Sequence, residues 1–313
     1  MGHRRFVTTT LLICFAGYLA LGFFGHSYAF CATTKNFADT SPCYKFAVRG
    51  QHAEILLVGD SSLLYGINPK IVTRLTNRSI YNYGVVGPVF SFDPSAVIDH
   101  YMNTNQRPRA IIAYVSPWDV VEPHRIRDPV WFPIGLAAMQ HPNVIPLQSV
   151  VRARPSSVVE FPQILATSIS LAPGSSAATR AQMDNDFGFS DFAGQLPPKD
   201  VRLTKCDRST GEARPPDLGP SRATFDRLRA RYAARGIAFY VYVAPFARCG
   251  AAVAALSHAY SGIAENEPTA MDDSLFANEK ENGGNVHVNQ AGVGAASGLL
   301  ANFILAHQIG AER

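Results

Sequence analysis

The sequence predicts an α/β fold built on a central parallel sheet, with an apolar N-terminal segment in front of it. Short apolar blocks alternate with helical patterns, at the spacing of strand–helix–strand units. The chain has 313 residues, 47% hydrophobic and 17% charged, and can therefore bury a large core. Together these observations predict one α/β domain of roughly 250 residues with an appendage.

The N-terminal segment has the composition of a membrane-targeting sequence. Arg4 and Arg5 precede the uncharged stretch 6–24, and about 19 apolar residues just cross a hydrocarbon core roughly 30 Å thick. The alternative is a cleaved signal peptide, because 27–29 has the small-x-small spacing that a signal peptidase accepts. We predict an anchor or signal at 1–28 and a stem at 29–50, with the remainder of the chain exported.

Four cysteines follow the apolar segment, and in an exported chain they are candidates for disulfide bonds. We favour Cys31–Cys43, which would close a short loop, and Cys206–Cys249, which would tie a long insertion to a strand end. The other two pairings and four free thiols remain alternatives. No cysteine or histidine cluster has zinc-ligand spacing, so no metal is predicted.

The charge pattern bears on the class of partner. The formal net charge is only +4 and the Lys and Arg residues are scattered along the chain. Nucleic-acid binding proteins instead gather basic residues into a patch or stripe. We therefore do not expect a nucleic-acid partner.

The first predicted strand is Glu54–Val58, a continuous apolar block that ends at the turn signal Gly59-Asp60. Such a block suits a strand buried on both faces of a parallel sheet. A helix is predicted to open at 68–72, with a proline at an early helical position. Later elements follow the same rhythm: a strand at 79–83, a helix at 95–101, a strand at 110–115, a helix at 221–235, a strand at 237–243 and a helix at 290–306.

The region from about 123 to 215 interrupts this rhythm. It is rich in proline, glycine and serine and shows little periodicity. We predict an insertion there, within an exported domain that spans 51–313.

The candidate chemistry lies directly after the predicted strands, because ligands of open α/β sheets bind beyond the carboxyl ends of the strands. Ser61 follows the first strand, in a tight turn at the start of a predicted helix. In that position its hydroxyl is presented to a ligand, and its backbone N–H can donate to an oxyanion. His287 precedes the last helix and can act as the base that makes a serine nucleophilic.

These residues belong to three short blocks that resemble those of the SGNH/GDSL superfamily of serine hydrolases. The blocks are Ile-Leu-Leu-Val-Gly-Asp-Ser at 55–61, Asn-Tyr-Gly-Val-Val-Gly at 82–87 and His-Val-Asn-Gln-Ala-Gly at 287–292. The resemblance implies an SGNH (flavodoxin-like) three-layer sandwich that uses no cofactor. It also implies that Ser61 is the nucleophile, that His287 is the base, and that Ser61 and Gly87 form the oxyanion hole.

Two positions depart from the family pattern. The residue three before His287, where the family places its acid, is Gly284, and the asparagine of the third block is missing. Asp273 and Glu281 are the candidates for the acid, which could also be absent. Near the missing asparagine, Trp118 and Asp119 are candidate substrate-binding residues.

Each candidate also has a structural interpretation. Ser61 could merely cap the helix that follows it, and His287 could be an ordinary loop histidine. Trp118 could pack against the core, and Asp119 could lie in a solvated loop. Asp60 is expected to be a structural turn residue rather than a second catalyst.

An exported, membrane-anchored domain of this kind is similar to envelope proteins that acylate alginate, cellulose-like exopolysaccharides or teichoic acids. The resemblance implies a serine-dependent O-acyl(acetyl)transferase in the bacterial inner membrane, single-pass, with its catalytic domain in the periplasm. It further implies a polysaccharide substrate and a membrane-bound O-acyltransferase as partner. The alternatives are a carbohydrate or lipid esterase of the same fold, and a non-catalytic accessory subunit of a polysaccharide synthesis or secretion complex.

Overall fold

The structure is a computed structural model of the chain. It describes residues 5–10, 12–13, 16–17, 44–86, 94–116, 143–146, 148, 151, 176–190, 219–248, 260, 262–277 and 287–311. The chain divides into two compact units, the first comprising Met1–Ala47 and Ile126–Ala178 and the second Val48–Arg125 and Thr179–Arg313.

Among its described residues, the second unit contains a parallel sheet of four strands. The strands are β1 (Ile55–Gly59), β2 (Ile80–Gly84), β3 (Ala110–Val115) and β4 (Ala238–Val243), in the order β2-β1-β3-β4. All three strand pairs are parallel. β1 and β3 are buried along their whole length, as expected for inner strands covered on both faces. The predicted α/β fold with a central parallel sheet is confirmed.

The helices alternate with the strands, as the sequence predicted. They are α1 (Ser61–Gly66), α2 (Pro69–Thr76), α3 (Pro94–Thr104), α4 (Ser176–Asn185), α5 (Gly219–Ala233) and α6 (Gln290–Ala306). α2 begins where expected because the side chain of Asn68 accepts from the backbone N–H of Lys70 and Pro69 occupies the first turn. It ends at Asn77, which adopts the left-handed conformation with φ of 54°.

Helices cover both faces of the sheet. On β4, Phe239 stacks on Tyr232 of α5, whereas Tyr240 and Tyr242 contact Phe303 of α6. Successive strand residues point to opposite faces, so α5 and α6 lie on opposite sides of the sheet. α6 also packs against α2 and α1. This arrangement is compatible with a three-layer sandwich.

Several described features were not predicted from the sequence. α4 is a helix inside the region expected to be irregular, and of its described side chains Met183 is the apolar one that is buried. A short parallel pair joins β5 (Phe246–Ala247) to β6 (Ala270–Met271). A single 3₁₀ turn spans Asp273–Leu275. These elements are too short, or too weakly amphipathic, to give a periodic signal.

The structure describes part of the predicted membrane anchor. Residues 5–10, 12–13 and 16–17 are helical, and the rest of 1–28 lies outside the described residues. Within the described part of the chain, no helix is long and apolar enough to cross a membrane. Cys31, Cys43, Cys206 and Cys249 also lie outside the described residues, so the disulfide pairing stays a prediction.

Candidate active site

The structure brings Ser61 and His287 into contact at the carboxyl end of β1. Ser61 Oγ lies 2.8 Å from His287 Nε2, although the two residues are 226 positions apart in the chain. Both side chains are half-buried. A hydroxyl at this distance can donate to an unprotonated Nε2, which is the geometry of a nucleophile and its base.

β1 delivers Ser61 to this position through a tight turn. A Cβ at Gly59 would lie 2.3 Å from the carbonyl oxygen of Tyr114, so glycine allows β1 to pass this close to β3. Asp60 then caps α1, because its Oδ1 accepts from the backbone N–H of Ser62 at 2.9 Å and from the hydroxyl of Ser62 at 2.5 Å. The alternative that Ser61 itself caps the helix is therefore wrong. Asp60 is the N-cap, and the hydroxyl of Ser61 contacts His287 instead.

A backbone pairing holds His287 in place. Its carbonyl oxygen accepts from the N–H of Ala277 at 2.8 Å, and the next residue, Val288, forms an antiparallel bridge with Phe276. The ring of Tyr65, on α1, meets the imidazole in a T-shaped contact with 6.1 Å between centroids. The segment 275–277 and helix α1 thus both contact His287.

Two asparagines that the sequence analysis did not single out as site residues bind the elements on either side of the contact. Asn82 is fully buried in β2, and its side-chain amide donates hydrogen bonds to backbone carbonyls of α1 and its C-cap. Asn289 caps α6, and its side-chain amide donates to backbone carbonyls in the segment 274–276. A signal for Asn82 was present in the sequence, namely an amide in the middle of an otherwise apolar and aromatic strand. A buried amide is costly unless it is hydrogen-bonded, so such a position calls for specific partners.

A buried phenol lies beneath the turn that carries Ser61. Tyr114 stacks on Tyr242 with 5.5 Å between ring centroids. Burial raises the pKa of Tyr114 well above its ordinary value, and the nearby Tyr242 and Asp60 raise it further. This phenol is therefore neutral at physiological pH.

Of the other predicted site residues, the structure describes Asp273. Asp273 is half-buried in the 3₁₀ turn that leads directly into the segment paired with His287. Its role as the acid stays a prediction. The residues Gly87, Trp118, Asp119, Glu281 and Gly284 lie outside the described residues. Among the residues that are described, no group of three or more His, Cys, Asp or Glu could hold a metal ion.

Comparison of the chain with family models, with curated proteins and with solved structures found no match.

Proposed function

We propose that this chain is an SGNH-type serine enzyme that transfers an acyl group through an ester on Ser61. The observation that carries the proposal is the 2.8 Å contact between Ser61 Oγ and His287 Nε2 at the carboxyl end of β1. A serine hydroxyl is a weak nucleophile until an adjacent base takes its proton. The location agrees with the rule that ligands of open α/β sheets bind beyond the strand ends.

The proposed reaction has two halves, the acylation of Ser61 and the transfer of the acyl group to an acceptor hydroxyl. Ser61 Oγ attacks the acyl carbonyl while His287 takes the hydroxyl proton, and the imidazolium then gives that proton to the departing alcohol. In the second half, His287 takes a proton from the acceptor hydroxyl, whose oxygen attacks the acyl-serine. The bond between the acyl carbon and Ser61 Oγ then breaks, the imidazolium returns the proton to Ser61 Oγ, and the acylated acceptor leaves. The backbone N–H groups of Ser61 and Gly87 are the proposed donors to the oxyanion.

The acceptor we propose is a sugar hydroxyl of an exopolysaccharide or another cell-envelope glycan, with O-acetylation as the reaction. This narrower proposal rests on the resemblance to envelope acyltransferases, as does the proposed partner, a membrane-bound O-acyltransferase. A tether to the inner membrane with the sheet domain in the periplasm is part of the same proposal. Supporting it, the described helical residues near the N-terminus expose large apolar side chains: Phe6, Val7, Leu12 and Ile13.

The test is turnover of p-nitrophenyl acetate by the detergent-solubilised full chain, with and without a glucan oligomer as acceptor. Ser61→Ala and His287→Ala should each abolish turnover above background. A matched control is Ser79→Ala, because Ser79 lies at the opposite end of the sheet, beside Glu54.

Each outcome distinguishes one class of function. Serine-dependent turnover with acetyl recovered on the oligomer supports the transferase. Serine-dependent hydrolysis without transfer would replace it with the esterase. Absence of any turnover that depends on Ser61 would favour the accessory subunit and contradict the proposal.

A further inference from the structure

Two buried asparagines form the same three-bond bracket on either side of the contact between Ser61 and His287. In each bracket the amide nitrogen donates to two backbone carbonyls of a neighbouring segment, and the amide oxygen accepts from the N–H of a glycine. Asn82 is 0% exposed and Asn289 is 4% exposed. Amides this deeply buried are retained only where their hydrogen bonds are made.

The first bracket holds the helix that carries Ser61. Asn82 Nδ2 donates to the carbonyls of Leu63 at 2.8 Å and Ile67 at 2.9 Å, and its Oδ1 accepts from Gly84 at 2.9 Å. These carbonyls belong to α1 and to its C-cap. The bonds therefore fix the rotation and the height of α1 relative to β2, and with them the position of the Ser61 hydroxyl at the start of the same helix.

The second bracket holds the segment that carries His287. Asn289 Nδ2 donates to Ser274 at 2.8 Å and to Phe276 at 3.2 Å, and its Oδ1 accepts from Gly292 at 3.1 Å. Its backbone N–H donates to Leu275 at 2.9 Å. The bracket locks the residues just after His287 to the strand-like segment that also binds the His287 carbonyl.

We infer that Asn82 and Asn289 are positioning residues that set the distance between the Ser61 hydroxyl and the His287 imidazole; this inference rests on the proposed function. An amide is the side chain that offers two donors and an acceptor in one short planar group. Proton transfer requires heavy atoms within hydrogen-bond reach. A misplacement of about 1 Å can slow a reaction by about 100-fold.

The matching change is Asn to Asp, which keeps size and shape but removes both donors. Asn82→Asp and Asn289→Asp should each slow acylation of Ser61 at least about 10-fold, as a loss in kcat with KM for p-nitrophenyl acetate nearly unchanged. Asn266→Asp is the control, because Asn266 forms a comparable bracket on Val243 at the edge of β4. It should lower stability without slowing acylation.

A second background separates positioning from a general loss of stability. In His287→Ala protein the base is gone, so neither asparagine change should slow the residual labelling further. A merely structural role would lower the rate by the same factor in both backgrounds. Asn82→Ser and Asn289→Ser give the same comparison if either aspartate variant fails to fold, since serine retains a polar group but cannot span two carbonyls.

The experiment measures the labelling rate of the full chain in detergent with a fluorophosphonate probe, beside circular dichroism and urea unfolding. The inference is supported if folded Asn82 and Asn289 variants label slowly and the effect disappears without His287. Wild-type rates in folded variants, or equal slowing without His287, would overturn it while leaving the proposed function intact. If wild-type protein labels no better than Ser61→Ala, both proposals fail.

Discussion

At the residue scale, the chemistry of the site depends on which side chain does which task at the end of β1. Asp60, Ser61 and Ser62 are adjacent, yet the structure gives them different partners. The carboxylate of Asp60 accepts hydrogen bonds from the backbone N–H and the hydroxyl of Ser62 at the start of α1. The hydroxyl of Ser61 instead lies within hydrogen-bond distance of His287 Nε2. The capping function is thus separated from the hydroxyl that we propose as nucleophile.

This separation makes a prediction for Asp60. Asn is as good an N-cap as Asp, so Asp60→Asn should keep both the stability and the fluorophosphonate labelling rate within a few-fold. Asp60→Ala removes the cap and should lower the free energy of unfolding by about 1–2 kcal/mol. Urea unfolding and labelling rates measure the two effects. A large loss of labelling in a stable Asp60→Asn protein would show that the carboxylate takes part in the chemistry.

At the element scale, the start of α6 depends on a close backbone approach. A Cβ at Gly292 would lie 2.2 Å from the carbonyl oxygen of Leu275 and 2.8 Å from Cβ of Val288. That carbonyl also accepts from the N–H of Asn289. Gly292 is therefore required for the helix to begin directly after the segment that bears His287.

Two glycines two positions apart on α6 provide a matched comparison. Gly292→Ala should lower the free energy of unfolding by about 1–3 kcal/mol, because the methyl group collides with backbone that cannot move freely. Gly294→Ala meets nothing within 4 Å and should raise it by up to about 1 kcal/mol, because alanine favours the helix. Urea unfolding of both variants measures the difference. Equal effects of the two changes would contradict the close approach of Gly292 to the carbonyl of Leu275.

Glu265 and Asn266 form hydrogen bonds with backbone groups along one edge of β4, at positions that a neighbouring strand would otherwise occupy. Glu265 accepts from the N–H of Val241 and donates its own N–H to the carbonyl of that residue, while Asn266 does the equivalent for Val243 through its amide. Arg229 bonds the same carboxylate at 2.6 Å. An unpaired edge invites association with other chains, and this cover occupies it.

Removing that cover should have a measurable cost. Glu265→Ala leaves the buried N–H of Val241 and the guanidinium of Arg229 without this carboxylate. We expect a loss of about 1–3 kcal/mol in the free energy of unfolding, together with increased association at high protein concentration. Urea unfolding and light scattering measure both, with Glu267→Ala as the surface control. Unchanged stability would mean that the carboxylate does not close the edge.

The elements could be predicted from the sequence to the extent that their signal is local. β3 and α6 have the bounds expected from their apolar runs, and β1 and β2 are displaced by one residue toward the glycine that ends each strand. Ser61 and His287, which the structure brings into contact, were candidates because each lies in a short sequence motif. Asn82 and Asn289 were missed as site residues because their role depends on carbonyls that only the folded chain brings near them.

At the scale of the whole molecule, buried tyrosines lie on three strands of the sheet and on the helices α3 and α5. Burial raises the pKa above its ordinary value for Tyr83, Tyr101, Tyr114, Tyr232 and Tyr242. Their neutral form is therefore favoured in the folded state. In the unfolded chain the same phenols ionise at about pH 10.

This difference predicts how stability depends on alkaline pH. The full contribution of the phenols is present below about pH 10, and it is lost progressively as the pH rises from there toward the raised pKa values of the folded state. Urea midpoints measured from about pH 8 to 11 should fall above about pH 10. Phenolate absorbance of these residues should appear together with unfolding. Their complete ionisation with unchanged circular dichroism would contradict their burial.

For the whole site we propose that Ser61 is a nucleophile activated by His287. The most direct measurement is peptide mass spectrometry of the full chain after reaction with a fluorophosphonate. We predict one adduct, on Ser61 rather than on the adjacent Ser62, absent in Ser61→Ala and formed at least about 100-fold more slowly in His287→Ala. An adduct on another residue, or equal labelling of Ser61→Ala and wild type, would contradict the proposed role of Ser61.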